Sequence, residues 1–287
     1  MMAELNAFND ASPMRSTPTI RHLRDQSELQ SLRQDNPNFS GTLAKGLMIL
    51  QCFVADPRPH ANSELADKLG MPRPTVSRLC RTLQALGFLD HDERIDRFFI
   101  GPAAVTLSYP YFIATPLLAQ IRPAMQALAL QVQGAVSVGV NMDLDVVYIE
   151  STVHEQGTLK RPGIGAVRSV VETAMGRAWL ARLDKRERAA FLARMRRERA
   201  GELHRCHNGM EESLRAYAQR GFAINLGDAG LGVNAVGVAS RIQYGSRQLL
   251  FNCAVPGYHA RANALVHQLG PRLVGLVQFA ERLMSAR

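Results

Sequence analysis

Cysteine is scarce in this 287-residue chain: Cys52, Cys80, Cys206 and Cys253 lie far apart and form no CxxC pair. That excludes a disulfide-stapled scaffold. No GxxxxGK[ST] run occurs, so a P-loop is excluded, and no GxSxG run marks a nucleophile elbow. The opening MMAELNAFND lacks a basic segment followed by an apolar run, so no secretory leader is expected, and a reducing cytoplasm is the expected compartment. There is no internal repeat. Long apolar runs are also missing. The stretch between Arg97 and Arg122 carries no charge, but Pro102, Pro110 and Pro116 interrupt it. It is expected to be a buried interdomain or dimer segment, with no membrane partner.

What is present suits a two-domain globular protein. Hydrophobic residues make up 46% and charged residues 21%, enough to bury a core and too few charges for an intrinsically disordered chain. The formal net charge is +9, which suggests a polyanionic partner. Residues 1–100 balance twelve basic against twelve acidic side chains, so the whole excess lies beyond residue 100. Bulk charge therefore does not locate a nucleic-acid site.

Residues 1–40 read as a flexible arm, poor in large apolar residues and broken by Pro13, Pro18 and Pro37. Residues 41–101 then show three short helical patterns. The first carries Leu47, Ile49, Leu50 and Phe53 on one face and ends before Asp56-Pro57. The second starts at an Asn62 N-cap and stops at Gly70. The third runs from Pro74 to about Leu86, with Val76, Leu79, Cys80, Leu83 and Leu86 inward. A small hairpin follows, Phe88–Leu89 against Arg97–Ile100, around the acidic turn HDERID. This order is a winged helix-turn-helix. The outward face of the third helix holds Arg73, Thr75, Ser77, Arg78, Arg81 and Thr82, with no acid between Pro72 and Leu86. Arginine there can pair with guanine or grip phosphate. Arg97 of the hairpin is the better candidate for a supporting contact, because Arg94 has acidic neighbours to pair with.

Residues 102–116 are expected to form a linker, kinked or broken at Pro110. Residues 117–287 mix strand-like runs at 136–142, 146–151, 222–226, 232–240 and 248–255 with helical patterns to about 132 and at 173–183, 184–199, 209–220 and 260–284. That mixture predicts an α+β domain.

The run ELADKLGMPRPTVSRLCRTLQALGFL resembles the winged-helix domain of the IclR family of bacterial transcriptional regulators. VVYIES, ETAMGRAWLA and RGFAIN are similar to further ordered motifs of that family. The resemblance spans about 41–285. It implies a DNA-binding domain, a linker helix and a GAF-like α+β effector domain, in a dimer or tetramer acting on a palindromic DNA operator. It also implies a small acidic metabolite as effector, aromatic or hydroxylated, with no cofactor and no metal. Carried over motif by motif, the pocket positions fall on Lys160, Arg168, Ala174, Met175, Asn225, Ala235, Asn252 and Ala254, and Thr173 joins them as a residue that could cap the adjoining helix or bond the ligand. Thr173 opens a helix whose N-terminus suits an anion, and Arg168 suits a carboxylate. The chain departs from the family pattern in lacking a Gly before Arg97. Asn234 and Glu172 also replace the usual residues near the pocket.

Two other functional classes stay open at this level: a hydrolase-like enzyme built on the α+β domain, and an adaptor with a degenerate winged helix. No nucleophile–base arrangement favours the enzyme. The GxGxxA match at Gly230–Ala235 precedes a strand and fails as a dinucleotide fingerprint. His204, Cys206 and His207 match no zinc spacing. The run Arg194, Arg196, Arg197, Arg199 reads as a solvated helix face, and Cys253 as inert packing.

Overall fold

The structure, a computed structural model, describes residues 29–30, 33–34, 36–154, 162–227, 232–258 and 262–286. Most of the expected arm, Lys160, and Gly230 and Leu231 of the Gly230–Ala235 motif lie outside them.

Helix α1 (Gly41–Ala55) starts at Ser40, whose Oγ accepts the Leu43 N–H. Its buried stripe is Ala44, Met48, Ile49 and Phe53, which leaves Leu47 on the solvent side rather than inward. In α2 (Asn62–Leu69) the cap position belongs to Ala61, and the Glu64 carboxylate accepts the Ala61 N–H at 3.2 Å. Asn62 is therefore the first helical residue and not the cap. Its amide donates to the Arg73 carbonyl at 3.2 Å, joining α2 to the next helix. Gly70 ends α2 at φ +59°, a left-handed conformation that costs glycine little.

Helix α3 (Arg73–Ala85) has Pro74 in its first turn. Val76 and Cys80 are fully buried, and Leu79 and Leu83 pack partly against the same core. Leu86, expected inward, is 61% exposed because it lies at the C-cap, past the last packed turn. Leu29 of the expected arm is buried in this core. The wing pairs β1 (Leu89–Asp92) with β2 (Arg97–Ile100) in antiparallel register, Asp92 opposite Arg97. Asp96 takes φ +49° where the family pattern has glycine, an excursion aspartate tolerates better than most residues.

The linker forms two short helices, α4 (Ala103–Thr106) and α5 (Ser108–Ile113). Pro110 stands in the first turn of α5. It has no N–H to offer the Thr106 carbonyl, so the interruption falls just upstream of it.

The C-terminal part contains α6 (Pro116–Val132), β3 (Ala135–Met142), β4 (Asp145–Val153), β5 (Val167–Ser169), α7 (Ala174–Arg182), α8 (Lys185–Glu198) and α9 (Ala200–Arg220). It continues through β6 (Ala223–Leu226), β7 (Val233–Tyr244), β8 (Arg247–Pro256) and α10 (Ala262–Ala264). A π turn over Leu265–Leu269 leads into α11 (Gly270–Ser285). The six strands run in the order β5-β4-β3-β8-β7-β6, antiparallel throughout. One face buries Val136, Val238 and Phe251 under α6 and α11. The other carries Leu250 and Ala239 under α7, α8 and α9. The fold is a winged helix-turn-helix followed by an α+β domain. No helix among the described residues is long and apolar enough to cross a membrane.

Helix α9 begins nine residues before the expected start at 209. Gly201, Asn208 and Gly209 weaken its local propensity, but Leu203, Cys206, Met210 and Ser213 make one buried stripe. The same helical spacing buries Cys206 and turns His204 and His207 to solvent. No metal-holding cluster exists among the described residues. Cys253 is buried among the sheet's apolar residues, and burial pushes its thiol up to about 12, so it is inert packing.

The arginine run is not one solvated face. Arg196 and Arg197 are exposed, but Arg194 pairs with Asp143, and buried Arg199 makes two 2.6 Å hydrogen bonds to the Asp145 carboxylate. Arg199 also ends α8 and begins the approach to α9, so the pair ties that junction to the start of β4. Removing one partner of a buried pair strands the other charge. Arg199→Met is expected to cost about 3–5 kcal/mol, read as a lower urea midpoint. Adding Asp145→Leu should recover a large part of that loss.

Candidate nucleic-acid interface and ligand pocket

Two places in the fold collect the residues that the sequence singles out. The first is the outer face of α3. Arg73, Arg78 and Arg81 are exposed, with Thr75 and Ser77 half-buried between them. Among the described residues none of these three guanidinium groups is paired with a carboxylate, so their charge is directed outward. Val76 and Cys80 hold the opposite side of the helix rigidly in the core. A rigid helix with a free basic face is the physical requirement for entering a major groove.

Arg97 behaves differently. Its Nη1 donates to both Glu64 carboxylate oxygens at 3.0 Å and to the Pro59 carbonyl at 3.3 Å. It is a clasp between the wing and the start of α2. Alongside it, His60 and Phe98 exchange two backbone hydrogen bonds of 2.9 Å, which fix the wing to the α1–α2 loop. Arg94 is paired with Asp92 inside the wing, as its acidic neighbours suggest.

The second place lies where α7 meets the sheet. Thr173 caps α7, its Oγ1 accepting the Gly176 N–H at 3.0 Å. A Cβ on Gly237 of β7 would overlap the backbone of Ala174 and Met175, and one on Gly139 of β3 would press on the Met175 sulfur. The N-terminus of α7 therefore rests directly on glycine positions of the sheet. Around it the sheet is lined with small and polar residues. Asn225 lies opposite Ala235, Ala235 opposite Ala254, and Asn252 between Gly237 and Ser137. Strand alternation puts all of these on the α7 side. Asn252 is nine-tenths buried, and among the described residues its Oδ1 has no hydrogen-bond partner. Ser137 and Ser151, which sequence reading missed, share a 2.9 Å hydrogen bond on the neighbouring strands. Their signal was faint, because a serine in a strand is unremarkable until its neighbours across the sheet are known.

The structure thus brings together Thr173, Ala174, Met175, Asn225, Ala235, Asn252 and Ala254. Asn225 is partly committed, since its amide donates to the Glu172 carbonyl at 2.6 Å. Arg168 does not join the group. It sits on edge strand β5 opposite Val146, which in turn faces Asn141 of β3. That position is about three strand spacings across and four residues along from Asn252, on the order of 20 Å over the sheet. Asn234 also turns away: it alternates with Ala235, and its amide donates to the Gly257 carbonyl at 3.4 Å. Glu172 is bound to Arg205 at 2.9 Å.

Arg177 is the largest surprise near the pocket. It is 1% exposed, and it donates to the Val171 carbonyl at 3.0 Å and the Ile224 carbonyl at 2.9 Å. These two bonds from a buried guanidinium tie α7 to β6. The sequence shows only an arginine inside an amphipathic helix.

The IclR helix-turn-helix domain matches residues 42–93, and the bacterial transcriptional regulator IclR C-terminal domain matches residues 111–266. The chain belongs to the IclR family. IclR regulators pair a DNA-binding helix-turn-helix with an effector-binding C-terminal domain, and this chain carries both. It is 26% identical over 269 residues to the HTH-type transcriptional regulator TsaQ1/TsaQ2 of Comamonas testosteroni, covering 92% of this chain and 95% of that one. It is 24% identical to the p-hydroxybenzoate hydroxylase transcriptional activator of Acinetobacter baylyi, covering 80% and 87%. Among solved structures, an IclR family regulator from Brucella abortus shares 28% identity and a TM-score of 0.79, covering 88% of this chain and 96% of that one. These relatives are transcriptional regulators, not enzymes.

The Arg97 clasp of this IclR-type reading head has a measurable consequence. The Ala61 N–H and then the Arg97 guanidinium hold the Glu64 carboxyl at about 2, below its usual 4.5. Its contribution to stability is therefore complete above pH 4.5 and fades as the pH falls toward 2. Glu64→Gln is expected to flatten the acid side of the thermal-midpoint profile, with wild type and variant converging as the pH is lowered. Thermal melts recorded across that range check it.

Proposed function

We propose that this protein regulates transcription by binding a palindromic operator through α3, with Arg73, Thr75, Ser77, Arg78 and Arg81 at the bases and phosphates. The observation that carries this reading is the unpaired basic face of a core-anchored α3. Arg97 serves it indirectly, by holding the wing against α2 through Glu64.

The protein acts as a dimer or a dimer of dimers. Supporting this, the linker leaves Val105, Leu107, Tyr109 and Ile113 exposed, an apolar strip that a second copy would cover. Two reading heads so joined would meet half-sites one or two helical turns apart. A small carboxylic acid, aromatic or hydroxylated, binds beneath the start of α7. The N-terminal dipole of α7 favours the carboxylate. The unpartnered Asn252 Oδ1 would take a hydroxyl, with the small side chains of Ala235 and Ala254 beside it. A fold neighbour from Microbacterium hydrocarbonoxydans, 16% identical with a TM-score of 0.67, was crystallised with 4-hydroxybenzoate, which makes that acid a natural first probe. The ligand acts by shifting the population of arm arrangements that differ in DNA affinity.

Arg78→Ala is expected to weaken operator binding about 5- to 150-fold, the loss of one good base contact, and to leave effector binding intact. Fluorescence anisotropy on the DNA beside the protein's own gene, at fixed salt, measures it, and unchanged affinity would overturn the assignment. Arg73→Ala or Arg81→Ala at phosphate-facing positions should lower the log–log salt slope by about one.

A further inference from the structure

A cleft of about 560 Å³ separates the reading head from the effector domain. Gln51, Cys52 and Lys68 line it on the α1–α2 side, and Arg168, Ser169 and Arg199 on the other. Three buried polar atoms of these lining residues have no hydrogen-bond partner among the described residues: Gln51 Oε1, Ser169 Oγ and Arg199 Nε. Ser169 and Arg199 are both more than nine-tenths buried. Stranding buried polar atoms costs free energy, and three of them in residues lining one space leave hydrogen-bonding capacity unmet just beneath its walls.

The charges around the cleft are spoken for, with one exception. Asp145 holds both oxygens against Arg199, and Glu202 lies 3.5 Å from the same guanidinium. Glu172 is paired with Arg205, and Lys68 lies 3.2 Å from Asp56. Among the described residues Arg168 has no carboxylate within ion-pair distance. The unmet partners are therefore the exposed Arg168 guanidinium and, just beneath the same wall, an Nε–H and a hydroxyl that small side-chain turns would present, a set that suits a carboxylate. An amide oxygen on the other wall suits a hydrogen-bond donor.

We propose that this cleft is a second ligand site, distinct from the pocket beneath α7, and that it takes a small hydroxycarboxylic acid. The carboxylate lies against Arg168, Ser169 Oγ and Arg199 Nε, and the hydroxyl donates to Gln51 Oε1. A ligand held this way spans both domains. It clamps α1 of the reading head to β5 and to the α8–α9 junction, and restricts the positions from which α3 reaches DNA. The clamping consequence rests on the operator-binding reading above; the binding itself does not. An allosteric coupling of ordinary size would change operator affinity about 5- to 150-fold.

Calorimetric titration of the full chain with two matched pairs tests the site: lactate against propionate, and 4-hydroxybenzoate against benzoate. Wild type is expected to bind at least one hydroxy acid at a site that Arg168→Ala weakens at least tenfold. Gln51→Ala should weaken the hydroxy acid toward the affinity of its unhydroxylated partner, while Asn252→Ala leaves this site in place. Arg168 is exposed, so its variant should melt like wild type. The proposal fails if no hydroxy acid binds wild type, if Arg168→Ala changes nothing, or if Asn252→Ala removes all binding. Unliganded Arg168→Ala should bind operator as wild type does. A wild type that binds the hydroxy acid but no operator would remove the regulatory reading and leave the site standing.

Discussion

The approach of α7 to the sheet sets most of what lies beyond residue 117. Gly237 and Gly139 have no side chain, so the backbone from Thr173 to Met175 can settle onto β7 and β3. A larger residue at Gly237 would lift the helix and open its N-terminus to water. Because the helix sits low, the adjacent sheet surface must also be small, and Ala235 and Ala254 meet that need across β7 and β8. Asn252 is then buried in the same surface with its oxygen unpartnered. Helix dipole, small floor and orphan acceptor thus follow from one close contact.

Arginine does four different jobs here, and burial sorts them. Arg73, Arg78 and Arg81 stand in solvent unpaired, available to a polyanion. Arg97 is half-buried and clasps the wing to Glu64. Arg199 is buried against Asp145 and braces the junction of α8 with α9. Arg177 is fully enclosed and donates to two carbonyl oxygens. Nothing in the identity of the residue distinguishes these cases. The low dielectric of the interior makes Arg177 and Arg199 structural, since a buried guanidinium without its partners would be too costly to keep. Exposed, the same group is free to bind something else.

The reading head was legible because its signals are local. Pro72-Arg73-Pro74, Gly70 and Gly87 punctuate the chain, and a period near 3.6 places Val76 and Cys80 inward. Errors there were small: Leu86 at a C-cap, Asn62 one residue inside α2, and Leu47 just off the buried stripe of α1. The effector domain was less transparent. Strand β5 is three residues long and carries no pattern of its own. The first half of α9 hid behind Gly201 and Gly209, where tertiary packing of Leu203, Cys206 and Met210 outweighs weak propensity. Arg168 was matched to the pocket by its motif, but a sheet edge sets its place, and that edge is far from Asn252.

By itself, the sequence determined the order of elements, the winged-helix core and the outward basic face of α3, because each depends on periodicity and on caps within a few residues. It also determined that Thr173 begins a helix. Only the tertiary structure decided which long-range partners meet: Asn252 with Ser137, Arg199 with Asp145, Arg97 with Glu64, and Gln51 across a cleft from Arg168. Those meetings depend on strand order and domain placement, which arise from the burial of whole faces and leave no trace in the spacing of neighbouring residues.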